Sequence, residues 1–179
     1  MSARKPLLFL GISIGLGLVL LAVGFLAQPG MKPTKKLKAL NQAFRVETAV
    51  NTFFTDYEYL PGNKERIKTA GPDGILFLRV LLGLERVDNP LNTRGVKYLI
   101  EWEGETGRNG LIYTKTGDDI TGMFDPWGNP YVVLLNTDND GKLAFRWGDR
   151  QVELKGRRVA VFSPGPDGKE GTADDVRTW

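Results

Sequence analysis

An α+β fold preceded by a membrane segment is what this sequence predicts, and three observations carry the prediction. Leu7–Ala27 contains no charged residue, only Leu, Ile, Val, Phe, Ala and Gly with one Ser. As a helix it spans about 30 Å, the thickness of a bilayer's hydrocarbon core. From Thr34 to about Tyr59, apolar residues recur at spacings near three and four. From Phe124 onward, short β-rich runs alternate with turn residues. The expected architecture is an N-terminal transmembrane helix and a long amphipathic helix packed on a small antiparallel β-sheet.

Composition narrows the chemistry. The 179 residues include no Cys and no His, which excludes disulfides, thiolate chemistry, Cys- or His-based zinc and an imidazole base. Ser163 is the one serine beyond the apolar run, so a Ser-His-Asp hydrolase is excluded by inventory. The formal charge of +3 is unevenly placed. Arg4, Lys5, Lys32, Lys35, Lys36, Lys38 and Arg45 all precede the first acid, Glu47. Removing those seven from the 24 bases leaves 17 against 21 acids, so the body carries −4. Basic residues flanking an apolar segment suit anionic headgroups. A nucleic-acid protein would carry them on its folded domain instead.

The apolar run reads as a retained anchor, being longer than a signal-peptide core. A cleaved signal is the competing reading, with small residues at Ala22-Val23-Gly24. A soluble helix is disfavoured because every face is apolar. Thr34 is the expected N-cap of the next helix, whose stripe is Leu37, Leu40, Phe44, Val50, Phe53, Phe54 and Tyr57. Leu60-Pro61-Gly62 stops it. After a loop to Gly71, Asp73 is placed to cap a short helix over Ile75–Leu84. Val96, Tyr98, Ile100 and Trp102 alternate with Lys97 and Glu101, the period of a strand. Glu103–Gly122 is polar and Gly-rich, and reads as an irregular loop. Tyr131–Leu135, Leu143–Trp147, Gln151–Leu154 and Val159–Phe162 follow as strands of a meander.

Two segments invite a cation. Asn136–Gly141 alternates oxygen ligands, but the twelfth position of an EF-hand register is Trp147, where a bidentate Glu belongs. A hairpin turn is the better reading there. Ser163–Val176 places four carboxylates in nine residues, among glycines that let the backbone fold back. Such a loop offers the oxygens a hard cation such as calcium takes, and equally reads as a solvated acidic terminus. Glycosidase-type paired carboxylates find no support, since the acids share one short loop. Asp125-Pro126-Trp127-Gly128-Asn129-Pro130-Tyr131 is a rigid turn entering a strand, with Trp127 expected to be buried against the stem helix.

Taken in order, these residues resemble the major pseudopilins of type II secretion systems. The likeness lies in Asp125–Tyr131, the following hairpin, Phe162-Ser163, the Gly-Asp-rich loop ending Asp174-Asp175-Val176, and Trp179. The stem exit Phe54–Pro61 is also similar. The resemblance implies a pilin-like fold and a calcium site using Asp167 with Asp174 and Asp175. It implies a structural, non-enzymatic subunit of an envelope-spanning filament, with no small-molecule substrate. Its partners are other pseudopilins or secretion-system membrane components. The location implied is the inner membrane, crossed once, with the C-terminal domain in the periplasm. Pseudopilins carry a Gly-Phe cleavage site before the apolar run and a Glu just inside it. Here the one Gly-Phe pair is Gly24-Phe25, at the far end of the run, which points to an uncleaved anchor. The expected division is an anchor over 1–31 and a domain over 32–179. That domain comprises a stem (34–60), a variable region (61–122) and a sheet with the calcium loop (123–179). The alternative is an anchored, calcium-stabilised binding module that does not polymerise.

Overall fold

A computed structural model describes residues 34–117 and 119–179. The apolar run Leu7–Ala27, with its anchor and signal readings, lies outside the described residues. Among the described residues no helix is long and apolar enough to cross a membrane. The architecture is α+β with an antiparallel sheet.

Helix α1 spans Lys35–Tyr57. Thr34 caps it as expected, its side-chain oxygen accepting the Leu37 N–H at 3.3 Å. Glu58 ends it in the left-handed conformation (φ 61°), donating its N–H to the Phe54 carbonyl. The buried face keeps Val50 and Phe53 of the predicted stripe but departs from it toward the N-terminal end. Ala39, Ala43, Val46, Ala49, Val50 and Phe53 face the core, while Leu37 and Phe44 remain 47% and 43% exposed. Size explains the rotation: small Ala side chains let the helix backbone lie close to the sheet, an approach Leu37 and Phe44 would block.

Helix α2 spans Gly71–Leu82, beginning earlier than expected. Pro72 sits in its first turn, where a missing N–H costs nothing. Asp73 is therefore a first-turn acid rather than the cap, and pairs with Lys64 at 2.5 Å. Gly83 closes the helix at φ 68°. Gly74 permits its close approach to the neighbouring chain, because a Cβ there would lie 2.0 Å from the Lys68 carbonyl oxygen.

Eight strands are described: β1 Arg66–Lys68, β2 Gly110–Tyr113, β3 Ile120–Phe124, β4 Val132–Leu135, β5 Lys142–Trp147, β6 Arg150–Lys155, β7 Val159–Ser163 and β8 Val176–Arg177. The four runs predicted beyond Phe124 are all present. Their connectivity is not a meander. The main sheet runs β1-β4-β7-β8, while β2–β3 and β5–β6 form separate hairpins. Asn136–Gly141 thus leads out of the main sheet instead of turning β4 back onto β5. The expected irregular loop contains β2 and the start of β3, a hairpin whose strands of four and five residues are too short to register as a pattern. The alternation over Val96–Trp102 does not form a strand. The N–H groups of Tyr98 and Leu99 both donate to the Leu81 carbonyl at the end of α2, which takes up the backbone as a strap.

The layering follows from side-chain alternation. Val133, Leu135, Val159 and Val161 point toward α1 and α2. Val132, Leu134, Ala160 and Phe162 point the other way, under Leu143, Phe145 and Trp147 of the β5–β6 hairpin. Strands β4 and β7 are covered on both faces, and so read as unbroken apolar runs. Strand β5 is covered on one face and alternates residue by residue.

Candidate functional site

The turn before β4 is built on Asp125, whose side chain has no exposure to solvent. One carboxylate oxygen accepts the N–H groups of Trp127, Gly128 and Asn129 at 2.8, 2.8 and 2.9 Å. The other accepts the Ser163 hydroxyl at 2.5 Å. Ser163 Oγ in turn accepts the Gly165 N–H at 3.1 Å, and the Asn129 amide donates to the Gly165 carbonyl at 2.7 Å. A buried carboxylate is tolerable because four donors meet it. This network fastens the 125–129 turn to the start of the acidic loop.

Trp127 is half-buried, and its backbone rather than its ring is engaged. The stem is instead reached by Tyr131, completely buried, whose hydroxyl lies 2.7 Å from Gln42 Oε1 and 3.2 Å from the Ala39 carbonyl. Burial, with Asp125 and Glu101 nearby, pushes this phenol well above its ordinary pKa and keeps the donor protonated.

The acidic loop has an oxygen cluster at its centre. The Thr172 hydroxyl lies 3.2 Å from the Lys169 carbonyl, 2.5 Å from Asp174 Oδ1 and 3.3 Å from Asp175 Oδ1. One hydroxyl proton cannot satisfy three acceptors. Two carboxylate oxygens, a hydroxyl and a carbonyl are ligands of the kind a hard cation takes, four of the six to eight oxygens that calcium requires. Among the described residues no three His, Cys, Asp or Glu side chains form a group that could hold a metal ion.

The three predicted ligands occupy different places. Asp175 is buried, and its second oxygen accepts the Trp147 indole N–H at 2.6 Å and the Gly171 N–H at 2.8 Å. Asp174 uses its second oxygen to accept the Asp167 N–H at 3.2 Å. The hydrogen bond from Thr172 holds the Asp174 carboxyl below its usual range. Asp167 is exposed, and its carboxylate accepts the Lys169 N–H at 2.8 Å. Asp174 and Asp175 therefore meet through Thr172, whereas Asp167 joins them through its backbone. Outside the cluster, Glu170 pairs with Arg66 and Lys68 of β1, and docks the loop on the sheet edge. Sequence reasoning missed Thr172 and Trp147, for which no local signal exists. Asp125 was legible only as part of a turn.

Comparison with known proteins sets this arrangement in context. The type II secretion system core protein G of Escherichia coli (strain K12) is 31% identical over 124 residues, covering 67% of this chain and 73% of that protein. That of Pectobacterium carotovorum subsp. carotovorum is 31% identical over 124 residues, covering 67% and 68%. The chain belongs to this family. No protein-family model matches it, and no solved structure does. The expected kinship with type II secretion core proteins thus stands on sequence identity, with the fold and the loop geometry described independently of it.

Proposed function

We infer that this core protein G relative is a structural subunit of a type II secretion assembly, working through protein–protein contacts and not through catalysis. Residues 1–31 serve as the anchor, in a single pass of the inner membrane, and 32–179 form a pilin-like periplasmic domain. Kinship supports the role, and the observation that carries it is the tethering of the acidic loop to the stem. Asp125, Ser163 and Asn129 hold the loop's start, and Tyr131 continues that turn to α1. A rigid domain on a stem is what a repeating subunit requires. Calcium belongs in the loop, held by Asp174, Asp175, Thr172 and the Lys169 carbonyl, with Asp167 adjoining. Bound there, it offsets the repulsion of the paired carboxylates.

Deletion of the gene is expected to block export of folded proteins by the cognate secretion system, and the full-length chain to restore it. Intact mass measured on the membrane fraction should equal that of the uncleaved chain. Undiminished export without the gene would refute the role. Chelation is expected to lower the melting temperature of the wild type but not of Asp174→Ala, since a ligand bound to the folded state stabilises it by mass action. Equal melting with and without chelator would remove the cation.

A further inference from the structure

The outward face of α1 changes character along its length. At the N-terminal end Leu37 and Phe44 stand exposed, about two turns apart on one side of the helix. Farther along, that side carries exposed Thr48 and Thr55, and the Thr55 hydroxyl donates to the Asn51 carbonyl at 2.9 Å. Lys35, Lys36 and Lys38 flank Leu37, all three exposed, and none forms an ion pair among the described residues. We propose that this end of the stem lies on an anionic phospholipid surface, with Leu37 and Phe44 at the headgroup boundary and the three lysines on lipid phosphates.

Charge and chain position both favour lipid as the occupant. No acid precedes Glu47, which Arg157 already engages, so the three lysines have no counter-charge at this end of the stem. Arg45 is engaged by Glu101 and is not counted with them. Successive side chains on a helix are turned by about 100°, so Lys35, Lys36 and Lys38 leave the axis in different directions. A protein partner reaches one side of a helix, whereas a headgroup layer meets all three. Lysine stems lie along apolar surface while their ammonium groups reach outward, which lets Leu37 and its neighbours share one boundary. Only residues 28–33 separate Thr34 from the apolar run over 7–27. Fully extended, such a segment spans at most about 22 Å, so the start of the stem stays near any bilayer that holds the run.

The contact rests on the membrane anchor inferred above and needs no second copy. Each lysine near an anionic surface strengthens the attraction about fivefold. Salt at about 1 M, where the screening length is about 3 Å, should largely abolish that part. The apolar part ends at Phe44, so the distal stem should stay in water. Thr55 lies about 27 Å beyond Leu37 along the helix, and serves as the solvent reference on the same side.

The chain's lack of cysteine makes the test direct. Full-length Leu37→Cys, Phe44→Cys and Thr55→Cys each carry one nitroxide label, at one chain per lipid nanodisc. Accessibility to an aqueous nickel chelate is read by electron paramagnetic resonance. In phosphatidylcholine discs containing phosphatidylglycerol, the labels at 37 and 44 should be at least about threefold less accessible than the label at 55. Replacing Lys35, Lys36 and Lys38 together by Gln, or using phosphatidylcholine alone, should remove most of that difference. Equal accessibility at all three positions would overturn the contact, as would protection that survives loss of the lysines. Protection that appears only with several chains per disc would assign the face to a second copy instead. Alkaline carbonate washing of the same protein in vesicles separates the two readings. A chain retained there with equal accessibility refutes this contact and leaves the anchor standing. A chain washed off removes both.

Discussion

At the scale of single residues, the domain depends on two buried carboxylates that are satisfied by neutral donors. Asp125→Ala strands the Trp127 and Asn129 N–H groups and the Ser163 hydroxyl, while the Gly128 N–H keeps the backbone carbonyl of residue 125 at 3.1 Å. The expected cost is about 3 kcal/mol or more, read as a lower denaturation midpoint. Trp147→Phe keeps the ring packing and removes one donor to buried Asp175, at an expected cost of about 1–3 kcal/mol. Asp174 sets a pH dependence. Its folded pKa lies below the ordinary 3.8, chiefly through the Thr172 hydrogen bond. Its contribution is therefore fully present above about pH 4, and is lost as pH falls through the folded value. Melting followed from pH 5 to 2 in chelator should fall less steeply for Asp174→Asn than for wild type. Asp119, lowered by its bond from Arg79, remains in both proteins and sets a common background.

At the scale of elements, the stem shows how periodicity finds a helix and misplaces its face. The three-to-four spacing of apolar residues was readable, as were the Thr34 cap and the stop near Leu60. Which residues turn inward was readable at Val50 and Phe53 but not in the first turns, because hydrophobicity favours Leu37 and Phe44 over Ala39 and Ala43, whereas close packing on β7 favours the smaller side chains. Ala43→Leu should cost about 1–3 kcal/mol by overpacking, and Phe44→Ala should stay within about 0.5 kcal/mol. Thermal melts of the two variants decide which face is buried. The same limit applied to Val96–Trp102, where alternation is present but, among the described residues, no strand pairs along it and its end bridges β2 through the Trp102 carbonyl and the Leu111 N–H. The acidic loop was visible as composition, and Asp174 and Asp175 stood out in it. Thr172 and Trp147 complete the site from three and 28 residues before Asp175, and only the folded chain brings Trp147 there.

At the scale of the whole molecule, the main sheet and the two hairpins form on different terms. In the main sheet Leu135 faces Val159 and Ile67 faces Val133, partners far apart along the chain. In the hairpins, Leu111 faces Met123 and Trp147 faces Arg150. Closing a longer loop costs more chain entropy before any contact repays it. The hairpins are therefore the early structures, each forming in about 1–10 μs. The central pairing of β4 with β7 waits until everything between them has been brought back. A topology dominated by such distant pairings folds in milliseconds to seconds, not microseconds. During that interval Val132–Leu135 is an unpaired apolar strand, the segment of this chain most exposed to aggregation before it is shielded.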